Sequence, residues 1–108
     1  MKPATFFTLF VALCLVACGG TSVGRPCAAD AECDHGQSCV TSIPNGFCTK
    51  PCFAEGSTQE CPAGTICANH SGALRCSPTC QTQGDCRQEL ECNGVSGSET
   101  KACRPKAQ

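Results

Sequence analysis

The sequence predicts a small disulfide-rich fold of three tandem four-cysteine units, with short hairpins and turns and little regular secondary structure. Cysteine occupies 14 of the 108 positions, a density typical of disulfide scaffolds. Only nine large apolar side chains follow residue 17, which is too few for a conventional hydrophobic core without cross-links. In addition, one pattern of cysteine spacing recurs three times along the chain, as expected of an internal repeat.

Residues 1–17 have the layout of a secretory signal peptide. Lys2 is the single positive residue, and a largely apolar run follows from Phe6 to Ala17. A membrane-spanning helix needs roughly 20 such residues, so this run is too short to cross a bilayer. A buried N-terminal helix is the alternative, but the rest of the chain offers little apolar surface to receive it.

The apolar run ends in Leu15-Val16-Ala17-Cys18, which resembles the lipobox of bacterial lipoproteins. The resemblance implies cleavage before Cys18, a diacylglycerol on its sulfur and an acyl chain on its new amino group. The number of cysteines agrees with lipidation at Cys18. Without Cys14 and Cys18, twelve cysteines are left, an even number that can pair completely. Cleavage after Gly19 is the alternative, since Ala17-Cys18-Gly19 has the small-x-small form, and it would give a secreted protein without lipid.

A lipidated flexible tether is predicted at residues 18–26. Two or more acyl chains hold a protein stably at a membrane, whereas one chain binds only marginally. Gly19, rather than Asp, follows the cysteine, and the resemblance to lipoproteins then implies the outer membrane or the cell surface. The segment after it is rich in Gly and Ser, a composition typical of flexible linkers.

Three cysteine-rich units follow, at residues 27–51, 52–79 and 80–108. The gaps between successive cysteines are 5, 5 and 8 residues in unit 1, 8, 5 and 8 in unit 2, and 5, 5 and 10 in unit 3. The middle gap is constant while its neighbours vary, which favours a fixed turn-and-strand element flanked by loops of tolerant length.

Within each unit, the favoured connectivity joins the first cysteine to the third and the second to the fourth. Two overlapping loops then restrict the unfolded chain along the whole unit. Nested pairing also encloses the middle gap, and bridges between units, such as Cys48–Cys52 or Cys76–Cys80, stay open as alternatives. The favoured pairs are Cys27–Cys39, Cys33–Cys48, Cys52–Cys67, Cys61–Cys76, Cys80–Cys92 and Cys86–Cys103.

An acidic residue precedes the second cysteine of every unit: Glu32, Glu60 and Asp85. We expect these carboxylates to accept hydrogen bonds from backbone N–H groups of the turn that follows. Calcium binding is the alternative, but the chain contains no twelve-residue acidic loop of the usual calcium-binding kind.

Regular elements should be short, because Gly, Pro, Asn and Ser interrupt every interval between cysteines. Residues 28–32 and 87–91 could each form one helical turn. Asn45-Gly46 is a strong hairpin-turn signal, and it predicts that Cys39 and Cys48 lie on paired strands.

The residues indicate neither an enzyme nor a metal or cofactor site. Cys-x-x-Cys and His-Glu-x-x-His motifs are absent from the sequence. Four cysteines could hold zinc in two three-residue-spaced pairs, Cys48 with Cys52 and Cys76 with Cys80, but an oxidising compartment favours disulfides instead. His35 and His70 lie in polar segments and are predicted to be exposed. The net charge of −1 gives no basic surface for nucleic acid.

The segment Cys27-AADAE-Cys33-DHGQS-Cys39 resembles the N-terminal cysteine-rich region of Dickkopf proteins, and unit 3 repeats its five-and-five spacing. In that family the region belongs to secreted antagonists of Wnt signalling. The chain also looks like bacterial cysteine-rich lipoproteins throughout its length.

These features together predict an exported lipoprotein. It would be anchored to the cell envelope through Cys18 and would act as a non-enzymatic structural or binding module for a protein or glycan ligand. We expect its three units to form a short rod. The alternative is a secreted antagonist that resembles Dickkopf proteins or protease inhibitors and binds through an exposed loop.

Overall fold

Short antiparallel strands and disulfides build the fold that a computed structural model describes over residues 22–106. Two single-turn 3-10 helices and six strands form in this part of the chain, which confirms the predicted disulfide-rich class. The 3-10 helices are Asp30–Glu32 and Gln83–Asp85. The strands are β1 Ser38–Cys39, β2 Cys48–Thr49, β3 Thr65–His70, β4 Ala73–Cys80, β5 Leu90–Gly94 and β6 Lys101–Pro105.

The hairpin of unit 1 forms where Asn45-Gly46 predicts it. Strands β1 and β2 pair antiparallel with Cys39 opposite Cys48, as expected. Asn45 and Gly46 both have positive φ angles, 68° and 78°, which few residues other than Asn and Gly adopt readily. A Cβ at Gly46 would lie 1.8 Å from the Cys27 carbonyl oxygen, so only glycine fits this position.

Of the two predicted helical turns, one is found in shortened form and the other is wrong. Residues 28–32 contain the 3-10 helix Asp30–Glu32. Residues 87–91 instead make a tight turn and enter β5 at Leu90, which is almost completely buried. The 3-10 helix of unit 3 lies earlier, at Gln83–Asp85, where the Asp85 carboxylate accepts the N–H groups of Gln81 and Thr82.

Each unit holds two disulfides that overlap in sequence, first cysteine to third and second to fourth. This is the arrangement that the sequence favours. In every unit, three of the four sulfur atoms lie within 4.8 Å of one another, so the two bridges are in direct contact. The bridges are Cys27–Cys39, Cys33–Cys48, Cys52–Cys67, Cys61–Cys76, Cys80–Cys92 and Cys86–Cys103.

Units 2 and 3 share one antiparallel sheet of strand order β3-β4-β6-β5. Strand β4 runs through the end of unit 2 into Cys80, the first residue of unit 3. It pairs with β6 of unit 3, which places Thr79 of unit 2 opposite Ala102. Ile66 of β3 packs with Val95 and Ala102 from unit 3 in a buried cluster. The boundary between these two units therefore lies inside a sheet rather than in a linker.

Unit 1 contacts both of the other units. The Thr49 hydroxyl donates a 2.6 Å hydrogen bond to the Cys76 carbonyl of unit 2. Ile43 and Phe47 of unit 1 pack in a buried cluster with Leu90 and Cys103 of unit 3. The predicted short rod does not account for this last contact, because units 1 and 3 would be separated by unit 2 in a linear row.

The predicted flexible tether is wrong for residues 22–26, which pack into the fold. Ser22 and Val23 are 1% and 5% exposed. The Ser22 N–H donates to the Asp34 carboxylate at 3.1 Å, and the Gly24 N–H donates to the Cys48 carbonyl at 2.7 Å. Residues 18–21, with the predicted lipidation site Cys18, lie outside the described residues.

The core consists of three small clusters in which half-cystines replace much of the usual aliphatic packing. Val23, for example, packs with Cys52, Cys67 and Cys76. A sulfur pair fills volume and fixes chain geometry at once, so the few large apolar residues suffice. Phe53 is not part of this core, because its side chain is 83% exposed.

We expect complete reduction of the disulfides to unfold the protein. Each bridge contributes about 2–4 kcal/mol by restricting the unfolded chain, so six bridges contribute as much as, or more than, the total stability of about 5–15 kcal/mol typical of a domain. Amide hydrogen exchange of strands β3 and β4, measured before and after reduction and thiol alkylation, tests this. Protection that survives complete reduction would contradict the dependence on cross-links.

Candidate functional site

The recurring acidic residues cap the same backbone position in all three units. Glu32 accepts the N–H of Ala28 at 2.5 Å, and Glu60 accepts the N–H groups of Phe53 and Ala54 at 2.9 and 3.1 Å. Asp85 accepts the N–H groups that follow Cys80 in the same way. The predicted role as backbone acceptors is confirmed, but the donors follow the first cysteine of the unit and precede the acid.

These hydrogen bonds also explain why the pKa of Asp85 is lowered. Backbone N–H donors stabilise the charged form of a carboxylate, so the N–H groups of Gln81 and Thr82 lower the pKa of Asp85. Because each carboxylate is bound to backbone at the start of its own unit, these acids hold the fold together and do not converge on one another.

Arg87 joins unit 3 to unit 1, a role that no motif or spacing in the sequence indicates. Its guanidinium donates to three main-chain carbonyls: Nη1 to Gly24 at 2.9 Å and Gly46 at 2.8 Å, and Nη2 to Pro44 at 2.9 Å. The guanidinium carbon also lies 6.0 Å from the centre of the Phe47 ring. Three carbonyls that would otherwise lack a partner at the junction are thereby satisfied.

Glu89 completes this junction. Its Oε1 atom lies 3.2 Å from Arg87 Nε, which makes an ion pair, and its Oε2 atom accepts a hydrogen bond from the Asn45 side-chain amide. The backbone N–H of Glu89 itself, followed by Arg87 and Asn45, lowers the pKa of this carboxyl group. Both charges therefore take part in internal contacts between units.

Replacing Arg87 should loosen unit 1 from unit 3. Arg87→Met leaves three carbonyls without their donors, and we expect the free energy of unfolding to fall by about 1–3 kcal/mol. Denaturant unfolding of the oxidised protein measures the change. Arg25→Met, at an exposed position, is the matched control and should change stability by less than about 0.5 kcal/mol. Equal effects of the two substitutions would contradict the role given to Arg87.

The two histidines differ sharply in environment. His35 is exposed, as predicted, but the same prediction for His70 is wrong because its side chain is 6% exposed. His70 ends β3 and packs edge-on against the Phe47 ring, with centroids 5.4 Å apart. Burial, and then the nearby charges of Arg75 and Arg104, lower the pKa of His70 to about 4. The imidazole is therefore neutral at physiological pH.

His70 and Ser77 form a pair with the geometry of a base and a nucleophile. Nε2 of His70 lies 2.5 Å from the Ser77 hydroxyl oxygen. However, Ser77 is completely buried, so a substrate cannot reach this oxygen. Nδ1 of His70 has no hydrogen-bond partner among residues 22–106, so the pair also lacks a group that would orient the imidazole. The contact fixes the two strands β3 and β4 to each other.

The buried His70 makes stability depend on pH. Its pKa is about 4 in the folded protein against an ordinary value of 6.5, so the unfolded chain binds a proton that the folded protein does not. This contribution is fully present above pH 6.5 and is lost as the pH falls through about 4. A shift of this size corresponds to about 3 kcal/mol.

We therefore expect His70→Gln to reduce the loss of unfolding free energy between pH 7 and pH 4. His35→Gln is the matched control, because His35 is exposed, and it should keep the wild-type loss. Denaturant unfolding of each variant at pH 7 and at pH 4 measures how much unfolding free energy that protein loses between the two pH values. A wild-type pH dependence in His70→Gln would contradict the burial of a neutral imidazole.

The twelve predicted disulfide cysteines are all bonded in the structure. The four that could form a zinc site, Cys48, Cys52, Cys76 and Cys80, each bond a different cysteine of their own unit. Thiolates are the form that ligates zinc, so these sulfur atoms have no such role in the oxidised protein.

An open groove at the junction of units 1 and 3 is lined by Glu32, Asn45, Arg87 and Glu89, among others. All four side chains are engaged, because Glu32 binds the Ala28 N–H and the other three bind one another or main-chain carbonyls. The charges of Arg87 and Glu89 are therefore paired with each other, and the Glu32 carboxylate is bound by a backbone N–H.

The loop between Cys52 and Cys61 is the remaining candidate site. It presents Phe53 to solvent, and its backbone is held at both ends by disulfides. The Gly56 N–H donates to the Cys67 carbonyl at 2.8 Å, and the Cys67 N–H donates to the Ser57 carbonyl at 3.0 Å. A rigid loop with an exposed aromatic side chain is suited to binding rather than to catalysis.

The disulfides also indicate the compartment. Bridges at this density form and persist in an oxidising environment, so the protein is extracellular or exported. Within residues 22–106, no helix is long and apolar enough to cross a membrane. Comparisons of the chain with protein-family models, with curated proteins and with solved structures found no match.

Proposed function

We propose that the protein is an exported lipoprotein, anchored to the cell envelope through acylated Cys18, and that it acts as a non-enzymatic structural or binding module. The observation that carries this proposal is cysteine pairing. All twelve cysteines from Cys27 to Cys103 bond one another in the described part of the chain, so the framework does not need Cys18. A cysteine outside the framework is then available for another modification.

The sequence around Cys18 supports acylation as that modification. Leu15-Val16-Ala17-Cys18 resembles a lipobox and ends an apolar run that is too short to span a bilayer. Gly19 after the cysteine favours the outer membrane or the cell surface. Three acyl chains, each contributing about 0.8 kcal/mol per buried CH₂, would hold the protein firmly at the membrane.

The chemistry of the described residues supports a structural or binding role. The carboxylates of Glu32, Glu60 and Asp85 bind backbone N–H groups, and the Ser77 hydroxyl is buried. A binding module needs a rigid exposed surface, and the loop that carries Phe53 provides one. A protein or glycan ligand fits a module of this kind.

A secreted antagonist of Dickkopf or protease-inhibitor type is the second candidate. The observation that favours it is the same rigid loop, because antagonists of this kind bind through exposed loops. The two candidates differ in the state of Cys18. A lipoprotein stays with the membrane until detergent releases it, whereas a secreted antagonist is free in solution.

Substitution of the lipidation site tests the proposal. Cys18→Ser should leave unprocessed precursor or remove the protein from the membrane fraction, because serine has no thiol to receive the diacylglycerol. Cys14→Ser is the matched control, since Cys14 lies before the expected cleavage site, and it should leave both processing and membrane retention unchanged. Fractionation with and without detergent, and mass spectrometry of the N-terminus, give the readout.

Wild-type protein that is entirely soluble and carries an unmodified N-terminus would overturn the lipoprotein proposal and favour the secreted antagonist.

A further inference from the structure

Phe53 is the large apolar side chain that residues 22–106 leave exposed. It is 83% exposed, whereas Phe47, the other phenylalanine in this part of the chain, is completely buried. Single exposed apolar side chains are common on protein surfaces, so exposure alone has no functional meaning. The internal repeat, however, provides a comparison for this position within the same chain.

Phe53 follows the first cysteine of unit 2, and the corresponding residues in units 1 and 3 are Ala28 and Gln81. All three are exposed. All three also donate their backbone N–H to the acidic residue before the second cysteine. The fold therefore directs this side chain into solvent in every unit and accepts alanine and glutamine there. A phenylalanine at this position does not contribute to packing within the protein, so its apolar surface is available to something outside it.

The backbone under Phe53 is rigid. The preceding residue, Cys52, is buried and bonded to Cys67. The Glu60 carboxylate accepts the N–H groups of both Phe53 and Ala54. Because the backbone is already ordered, binding through the Phe53 ring incurs little further loss of conformational entropy.

The first residues that the structure describes lie on the same cluster as Cys52. Val23 packs in that cluster, and Ser22 before it is held by Asp34 and Gln37. Three residues separate Ser22 from Cys18, so four Cα–Cα steps join the two. Whatever their conformation, these residues span at most roughly 14 Å. An acylated Cys18 would therefore keep the surface near Val23 and Cys52 close to the lipid.

We propose that Phe53 inserts into the interfacial region of the bilayer beside the acyl chains of Cys18 and forms a second membrane contact. The inference rests on the lipoprotein proposal. Aromatic side chains favour the membrane interface, and apolar area buried there adds to the binding that lipidation supplies. One flexible attachment leaves a domain free to rotate, whereas a second contact from a rigid loop fixes which face of the protein points away from the membrane.

Tryptophan fluorescence tests this contact, because the natural chain contains no tryptophan. Phe53→Trp places a single reporter at an exposed position that tolerates different side chains. Purified acylated protein is reconstituted in phosphatidylcholine vesicles that carry a spin label near the headgroup. We expect the emission of Phe53→Trp to shift to shorter wavelength and to lose most of its intensity. The repeat provides matched controls, Ala28→Trp and Gln81→Trp, whose emission should be quenched mainly by aqueous iodide.

The outcomes separate the two proposals. Acylated, vesicle-bound protein in which iodide quenches Phe53→Trp as strongly as the controls would overturn the membrane contact and leave the lipoprotein proposal intact. Equal quenching by lipid at all three positions would also overturn it. If iodide fails to quench the tryptophan of Phe53→Trp in whole cells but quenches it in vesicles, the proposed contact with lipid is overturned and a protein partner is indicated. Protein with an unmodified N-terminus that does not stay with the vesicles would overturn both proposals.

Discussion

Contact between two overlapping disulfides within each unit is the interaction on which the rest of the structure depends. The two bridges of a unit lie side by side, with sulfur atoms within 4.8 Å of one another, and they occupy the centre that aliphatic side chains fill in larger domains. The two bridges fix four points of the chain, and the acid before the second cysteine fixes a fifth by capping the start of its unit. Strands as short as two residues can then persist, because their ends are covalently held.

The three units keep this frame but use the position after the second cysteine for different contacts. In unit 1 this residue is Asp34, which holds the N-terminal segment through Ser22. In unit 3 it is Arg87, which binds two carbonyls of unit 1 and the Gly24 carbonyl of the segment before it. The repeated part of each unit therefore maintains the local fold, and single residues that differ between the copies join the copies together.

This division explains how much of the structure the sequence could predict. Cysteine spacing, the Asn45-Gly46 turn and the repeated acids act within one unit, so their roles are apparent from local pattern. The role of Arg87 was not apparent, because its partners are main-chain carbonyls about 40 residues or more away, and every residue type has such a carbonyl. The sequence predicts an exposed His70 for a related reason. Its sequence neighbours are polar, and its burial depends on Phe47 from another unit. Residues 22–26 look like a linker in composition, yet they pack because backbone N–H groups find acceptors that the sequence does not reveal.

The cluster that Ile43 and Phe47 of unit 1 form with Leu90 and Cys103 of unit 3 has a consequence for the order of folding in time. An exported chain is delivered from its N-terminus, so unit 1 reaches the oxidising compartment first. Its own four cysteines can pair at once, but the contacts that Leu90 and Cys103 make with Ile43 and Phe47 form only when nearly the last described residues have arrived. During that interval the chain has local cross-links and an exposed apolar face. Completion of the native state therefore depends on delivery of the C-terminal strand. A chain truncated before Leu90 would carry the four bridges of units 1 and 2 around an unfinished core, with Cys80 and Cys86 left without their partners.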